Sequence, residues 1–200
     1  MRLPRFLSAA ALLFASPAFA LDHYEFDKAH TNIVFHINHL GFSEMVGLMT
    51  SYDGSFQFDP KTPDQSKIDV TIHPKGIKTS SDKLDQELQG EKWFNTAKFP
   101  DMHFVSTGIA ITGEHTGDVT GDLTMLGVTK PVTLHVQFNK GDYHPMTGQF
   151  MAGFSATGTL KRSDFGMTSF IPMVGDEVQI EIQTEGQDMD RKKEDAIKHG

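Results

Sequence analysis

Long runs of two-residue alternation constrain this chain more than any other feature. Val132, Leu134, Val136 and Phe138 share one side of an extended segment, and Thr133, His135, Gln137 and Asn139 share the other. Successive side chains of a strand point to opposite faces, so this spacing predicts a sheet with one apolar and one wet face. Ile33, Phe35 and Ile37 repeat the pattern, as do Phe150, Ala152, Phe154, Ala156 and Leu160 around Gly158, and Val178, Ile180 and Ile182. Tyr52 to Phe58 and Ile68 to Ile72 are shorter runs of the same kind. Turn signals at Gly113 to Gly117, Leu126-Gly127 and Gly141 to Gly148 join several runs as hairpins. An antiparallel sheet of this kind buries its apolar face by curling into a barrel or by packing as a sandwich.

One segment breaks the strand pattern. Ser80 to Gln89 carries capping side chains at its start, Leu84 and Leu88 four apart on one face, and Gly90 just past its end. That spacing predicts a short helix near residues 80–89, with Lys83 and Glu87 placed to pair. Trp93 and Phe94 follow closely, so the segment either covers a barrel mouth or plugs one end of a core.

Residues 1–20 have the form of a cleavable signal peptide: Arg2 and Arg5, an apolar run from Phe6 to Ala15, then Ala18-Phe19-Ala20. The apolar run is too short to span a bilayer, so export to the periplasm with no transmembrane anchor after cleavage is the expectation. Losing the leader moves the formal charge from -8 to -10, and no basic field suited to nucleic acid is visible. Cysteine is absent, which excludes thiol catalysis and thiolate metal sites and leaves stability to packing and backbone hydrogen bonds. Residues 21–186 read as one β domain. The tail 187–200 is dense in charge and reads as frayed or weakly helical.

The chemistry-bearing residues form no catalytic or metal pattern. His36 and His39 lack zinc-site spacing, and His30, His103 and His135 fall on separate segments. No nucleophile elbow or phosphate loop is present, so no catalytic residue and no metal ligand is assigned. The phenylalanines and methionines are more informative, because they suit either an ordinary barrel core or the lining of a channel for a long apolar molecule. Arg162-Ser163-Asp164-Phe165-Gly166 reads as a turn fixed by Arg162 and Asp164, with Phe165 inserted. Arg162 is alternatively a cation at a cavity mouth that meets a polar head group.

Several stretches carry a resemblance. Asp27 to Phe35, His39 to Ser43, Lys98 to Phe104, Val119 to Val132 and Arg162 to Gly166 resemble, in order, the YceI-like family of lipocalin-like, polyisoprenoid-binding proteins. The resemblance implies an all-β fold, an extended antiparallel lipocalin-like β-barrel around an elongated apolar pore. It also implies a long-chain isoprenoid lipid or quinone as ligand, no required cofactor, no enzymatic activity and a possible homodimer. Phe35, Phe42, Met45, Phe56, Phe94, Phe104, Phe138 and Phe154 are then the candidate lining residues, with Arg162 near the head group. The competing readings are an envelope interaction module with a solid aromatic core and, below it, an enzyme with an unrecognised polar pocket.

Overall fold

The computed structural model describes residues 21–191, so the predicted signal peptide and residues 192–200 of the charged tail lie outside the described residues. The chain enters as two strands laid end to end, β1 (Asp22–Phe26) and β2 (Asn32–His39), both antiparallel to the last strand, β11 (Val174–Asp188). β3 (Ser43–Met49) and β4 (Tyr52–Phe58) lie beside them in the same manner, β3 on β2 and β4 on β1. β5 (Lys67–Ile72) and the two-residue β6 (Ile77–Lys78) continue the arrangement, on β4 and β3 respectively. Four longer strands complete the wall: β7 (Met102–Ile111), β8 (Thr116–Met125), β9 (Val128–Tyr143) and β10 (Phe150–Lys161), the last returning to β11. With each end-to-end pair taken as one strand, eight strands close on themselves as the antiparallel lipocalin-like barrel that the alternation and the resemblance implied. Closure pairs the backbone groups that an open sheet would leave at its edges.

Closure is incomplete at one end, because β6 is last in the strand order and, among the described residues, no strand lies beyond it. The segment from Thr79 to Asp101 occupies that end and carries the helix α1 (Asp82–Leu88). Ser81 caps α1 by accepting from the Leu84 amide at 3.5 Å, and Asp85, although buried, accepts from the Thr79 amide and hydroxyl at 2.7 Å each. Lys78 pairs with Asp85 at 3.1 Å and Asp82 at 3.7 Å, so the helix takes its cation from β6 rather than from the expected Lys83–Glu87 pair.

Two bulges re-aim side chains that simple alternation misassigns. In β7 the register shifts between Ser106 and Gly108, so inward residues change from Met102 and Phe104 to Ile109 and Ile111. In β9 an extra residue at Asn139 lets Phe138 face Phe154 while Lys140 faces Gly153.

β11 continues past residue 186 into the charge-rich tail. Gln187 and Asp188 are part of β11, and Arg191 bonds Asp22 at 2.7 Å and Asp188 at 3.0 Å. Its guanidinium also lies 3.8 Å from the Phe150 ring centre. A charge-rich segment becomes ordered here because its charges find opposite charges and an aromatic face, which composition alone does not reveal.

Candidate functional site

The inward faces of the strands enclose a cavity of about 760 Å³. Its wall is built by period two: Ile33, Phe35 and Ile37 from β2, Ile68, Val70 and Ile72 from β5, Val132, Leu134, Val136 and Phe138 from β9, and Val178, Ile180 and Ile182 from β11. Leu84 and Leu88 of α1, followed by Trp93 and Phe94, line it at the helical end, so this segment covers one end of a cavity instead of plugging a solid core. Almost every lining atom is apolar, which favours removal of a hydrocarbon chain from water by ~25 cal/mol per Å² buried.

Glycines set the width of the lumen. Gly47 faces Phe35 directly across β2 and β3, Phe104 lies over Gly121, and Phe56 over Gly186. A β-carbon at any of these glycines would strike the ring, so each phenylalanine lies flat against the wall because its neighbour has no side chain.

Not all of the interior is open. Tyr24 and Phe56 stack at 4.8 Å, Phe58 and Phe154 meet edge to face at 5.1 Å, and Phe138 lies 5.2 Å from Phe58 and 5.4 Å from Phe154. These rings fill the space between β1, β4, β9 and β10, and Phe56, Phe58, Phe138 and Phe154 also border the cavity. The same rings therefore serve as core toward one another and as wall toward the cavity.

Of the candidate lining residues, Phe35, Met45, Phe56, Phe94, Phe104, Phe138 and Phe154 border the cavity, as does Arg162. Phe42 does not: it projects from the β2–β3 turn with 89% of its surface exposed. That turn is the two-residue Leu40-Gly41 pair, with φ of 59° and 75°, and it carries the next residue away from the wall. The extended pattern of β2 stops short of this reversal, and only the turn geometry reveals it.

Arg162 fixes its turn as expected, but not with the expected partner. It is 1% exposed and donates to four backbone carbonyls: Gly175 at 2.7 Å, Met167 at 2.9 Å, Ser169 at 2.8 Å and Val174 at 3.0 Å. Asp164 takes no part; Asp176 is the nearby carboxylate, accepting from the Ser163 amide at 2.9 Å and hydroxyl at 2.7 Å. Burial lowers the guanidinium pKa, with Asp176 opposing the shift. Arg162 thus ties the β10–β11 connection to the barrel end, its guanidinium 5.4 Å from the Trp93 ring centre, and most of its donors are committed before any ligand arrives. Phe165 inserts as expected, 2% exposed, with Gly166 in the left-handed region.

Among the described residues, His103, His135 and His30 pair with three different carboxylates. His103 bonds Asp69 at 2.7 Å, His135 bonds Asp118 at 2.7 Å, and His30 bonds Asp27 at 2.8 Å. Glu185 stands near the last pair, with one ligand atom from each of Asp27, His30 and Glu185 within 4.8 Å of the others on the outer surface. The bond to His30 is also the main reason that the Asp27 pKa is lowered.

A closed antiparallel wall around an apolar lumen, with a short helix across one end, defines a lipocalin-like barrel, an architecture that holds lipids and other small apolar molecules. Comparison with known proteins narrows the class. The chain belongs to the YceI-like family, whose domain matches residues 24–186. It is 37% identical over 179 residues to the protein YceI of Salmonella arizonae, covering 88% of this chain and 93% of that protein. The crystal structure of the Campylobacter jejuni YceI protein is similar at 26% identity, with a TM-score of 0.68, covering 92% of this chain and all of that one. Burkholderia cenocepacia BcnA shares the fold at 24% identity and a TM-score of 0.73, over 80% of this chain and 98% of that one. A polyisoprenoid binding domain from Saccharophagus degradans, implicated in plant cell wall breakdown, shares it at 14% identity and 0.59, over 84% and 99% of the two chains.

Proposed function

We propose that this protein is a non-enzymatic carrier that binds, sequesters or transports a long-chain isoprenoid lipid, of the quinone-tail or polyprenyl type, in the periplasm after its leader is removed. One observation carries the reading: the apolar lumen of about 760 Å³ runs past the aromatic cluster toward both barrel ends. A long flexible chain suits an elongated apolar space, and each buried methylene contributes ~0.8 kcal/mol before ordering costs. The fold shared with a polyisoprenoid binding domain supports the same ligand class. The family resemblance adds a homodimer to this reading. A filled interior would favour the competing interaction module, and the cavity of about 760 Å³ speaks for the carrier instead.

The test is native mass spectrometry of the protein purified from periplasm, followed by uptake of ubiquinone and of a polyprenol by stripped protein. Ala156 is buried and borders the lumen, so Ala156→Phe fills it from the wall. A bound isoprenoid in the wild type, and uptake lost in Ala156→Phe, is the expected outcome. Protein that is empty as purified and takes up neither lipid sinks the proposal.

A further inference from the structure

The apolar residues around the α1 end of the barrel are exposed, clustered and continuous with the cavity. Leu40 and Phe42 project from the β2–β3 turn, Val46 from the adjoining part of β3, and Phe170 and Met173 from the β10–β11 connection. The two loops are fastened together, because the Leu40 amide donates to the Met173 carbonyl at 2.8 Å. Leu40, Val46, Phe170 and Met173 also line the cavity, so the exposed collar and the lumen form one uninterrupted apolar surface. Leu40 and Phe170 hold φ of 59° and 63°, a conformation that bulky residues rarely adopt, and both keep close to half of their surface in water. Ile111, Met146 and Met189 at the opposite end lie on three separate segments, among exposed Lys61, Asp64, Glu114 and Asp142.

We propose that this collar is a docking surface for a lipid bilayer, and that cargo crosses between membrane and lumen through it. The proposal rests on the carrier reading above: a molecule too apolar for water needs an unbroken apolar path between two apolar phases. The size of the collar argues against a second copy of the chain as its occupant. A stable protein interface takes about 20–30 residues a side, whereas the collar offers five side chains from two loops and a strand edge. Five projecting side chains suit shallow insertion at the boundary between head groups and acyl chains. Charge decides the kind of bilayer contact. With a formal charge of -10 once Arg2 and Arg5 leave with the leader, and Lys92 seated over Phe170, 5.7 Å from its ring centre, the chain as a whole is repelled by anionic lipid. Docking is therefore apolar: it occurs on zwitterionic lipid, is weakened by anionic lipid, and is not weakened by salt.

Flotation of the leader-free protein, stripped of lipid, with phosphatidylcholine vesicles tests the proposal. Trp93, the only tryptophan in the chain, stacks on Phe170 at 6.0 Å and provides a fluorescence readout. Phe42 lies outside the lumen, so Phe42→Ser should lower vesicle partitioning on the order of tenfold or more while ubiquinone uptake from detergent micelles is unchanged. Phe42→Leu should retain most of the partitioning. Wild-type protein that fails to float, or Phe42→Ser that floats equally well, overturns the proposal. So does Phe42→Ser that only converts a dimer to a monomer. Docking without isoprenoid uptake supports the membrane surface and overturns the cargo reading instead.

Discussion

Phe35 and Gly47 face each other directly across β2 and β3, and the ring of Phe35 occupies the space that a β-carbon at position 47 would need. Gly47→Ala should therefore tip Phe35 into the lumen, reducing isoprenoid uptake and costing about 1–2 kcal/mol of stability. Gly54 is the contrasting case: its φ is +145°, and an added β-carbon would strike the backbone of Asp69 and Val70 rather than a movable ring. Gly54→Ala should cost about 3 kcal/mol or more. Urea unfolding of the two variants, beside a quinone-uptake assay, separates a change of lumen from a change of fold.

Arg162 is held by four carbonyls, and its replacement leaves all four without their donors. Arg162→Met should destabilise by about 3–5 kcal/mol and loosen the β10–β11 connection before it changes ligand affinity. Hydrogen exchange confined to residues 163–175 in a milder variant, Arg162→Lys, is the accompanying expectation. If Arg162→Lys lost ligand affinity with normal exchange, the arginine would be a head-group contact after all.

His73 sits at the break between β5 and β6, with Nδ1 2.6 Å from Asp101 and Nε2 3.1 Å from Asp53. Asp53 in turn pairs with Lys28 at 2.5 Å, so the network ties the β1–β2 loop to the segment that closes the helical end. The bond to Asp101, then that to Asp53, raises the His73 pKa. A raised folded-state pKa means that the contribution is complete below the ordinary histidine value of about 6.5 and is lost as pH rises through the raised value. Asp53 has its pKa lowered, chiefly by Lys28 and next by His73, so its share is present above the ordinary carboxylate range and is lost in acid. Urea midpoints measured against pH should fall above about 6.5 in the wild type. The fall should be shallower in His73→Asn, with the remainder reduced by His30→Asn, since Asp27 raises His30 in the same way.

Phe154 touches Phe56, Phe58 and Phe138 at centroid distances of 5.5, 5.1 and 5.4 Å, joining β4 to β9 and β10 through the interior. Phe154→Ala should cost about 3 kcal/mol and extend the lumen into the space that the ring vacates. Uptake of a longer polyprenol should then improve relative to a shorter one. Unchanged length preference in a folded variant would mean that the chain does not run toward β10.

The alternation made β9, β10 and β11 legible, and the Ser81 cap with Leu84 and Leu88 made α1 legible, because both depend on residues close in the chain. The bulges in β7 and β9 were not legible, since each is a mismatch between two strands rather than a property of either. Phe42 stands outside the lumen for a related reason: the family resemblance makes it a lining candidate, while the left-handed Leu40-Gly41 turn carries it outward. The turn at Arg162 is legible in the sequence, but its partners are carbonyls up to 13 residues away that no local pattern marks.

By itself the sequence determined an antiparallel sheet, which side of each strand is apolar, and the family to which the chain belongs, because side-chain direction and short motifs are local properties. Tertiary structure decided whether those apolar faces meet. Tyr24, Phe56, Phe58, Phe138 and Phe154 come from separate strands and close on one another, whereas Phe35 and Phe104 lie back against glycines and leave a lumen. Core and wall use the same residue types, and only strand order and barrel closure set the distance across the interior.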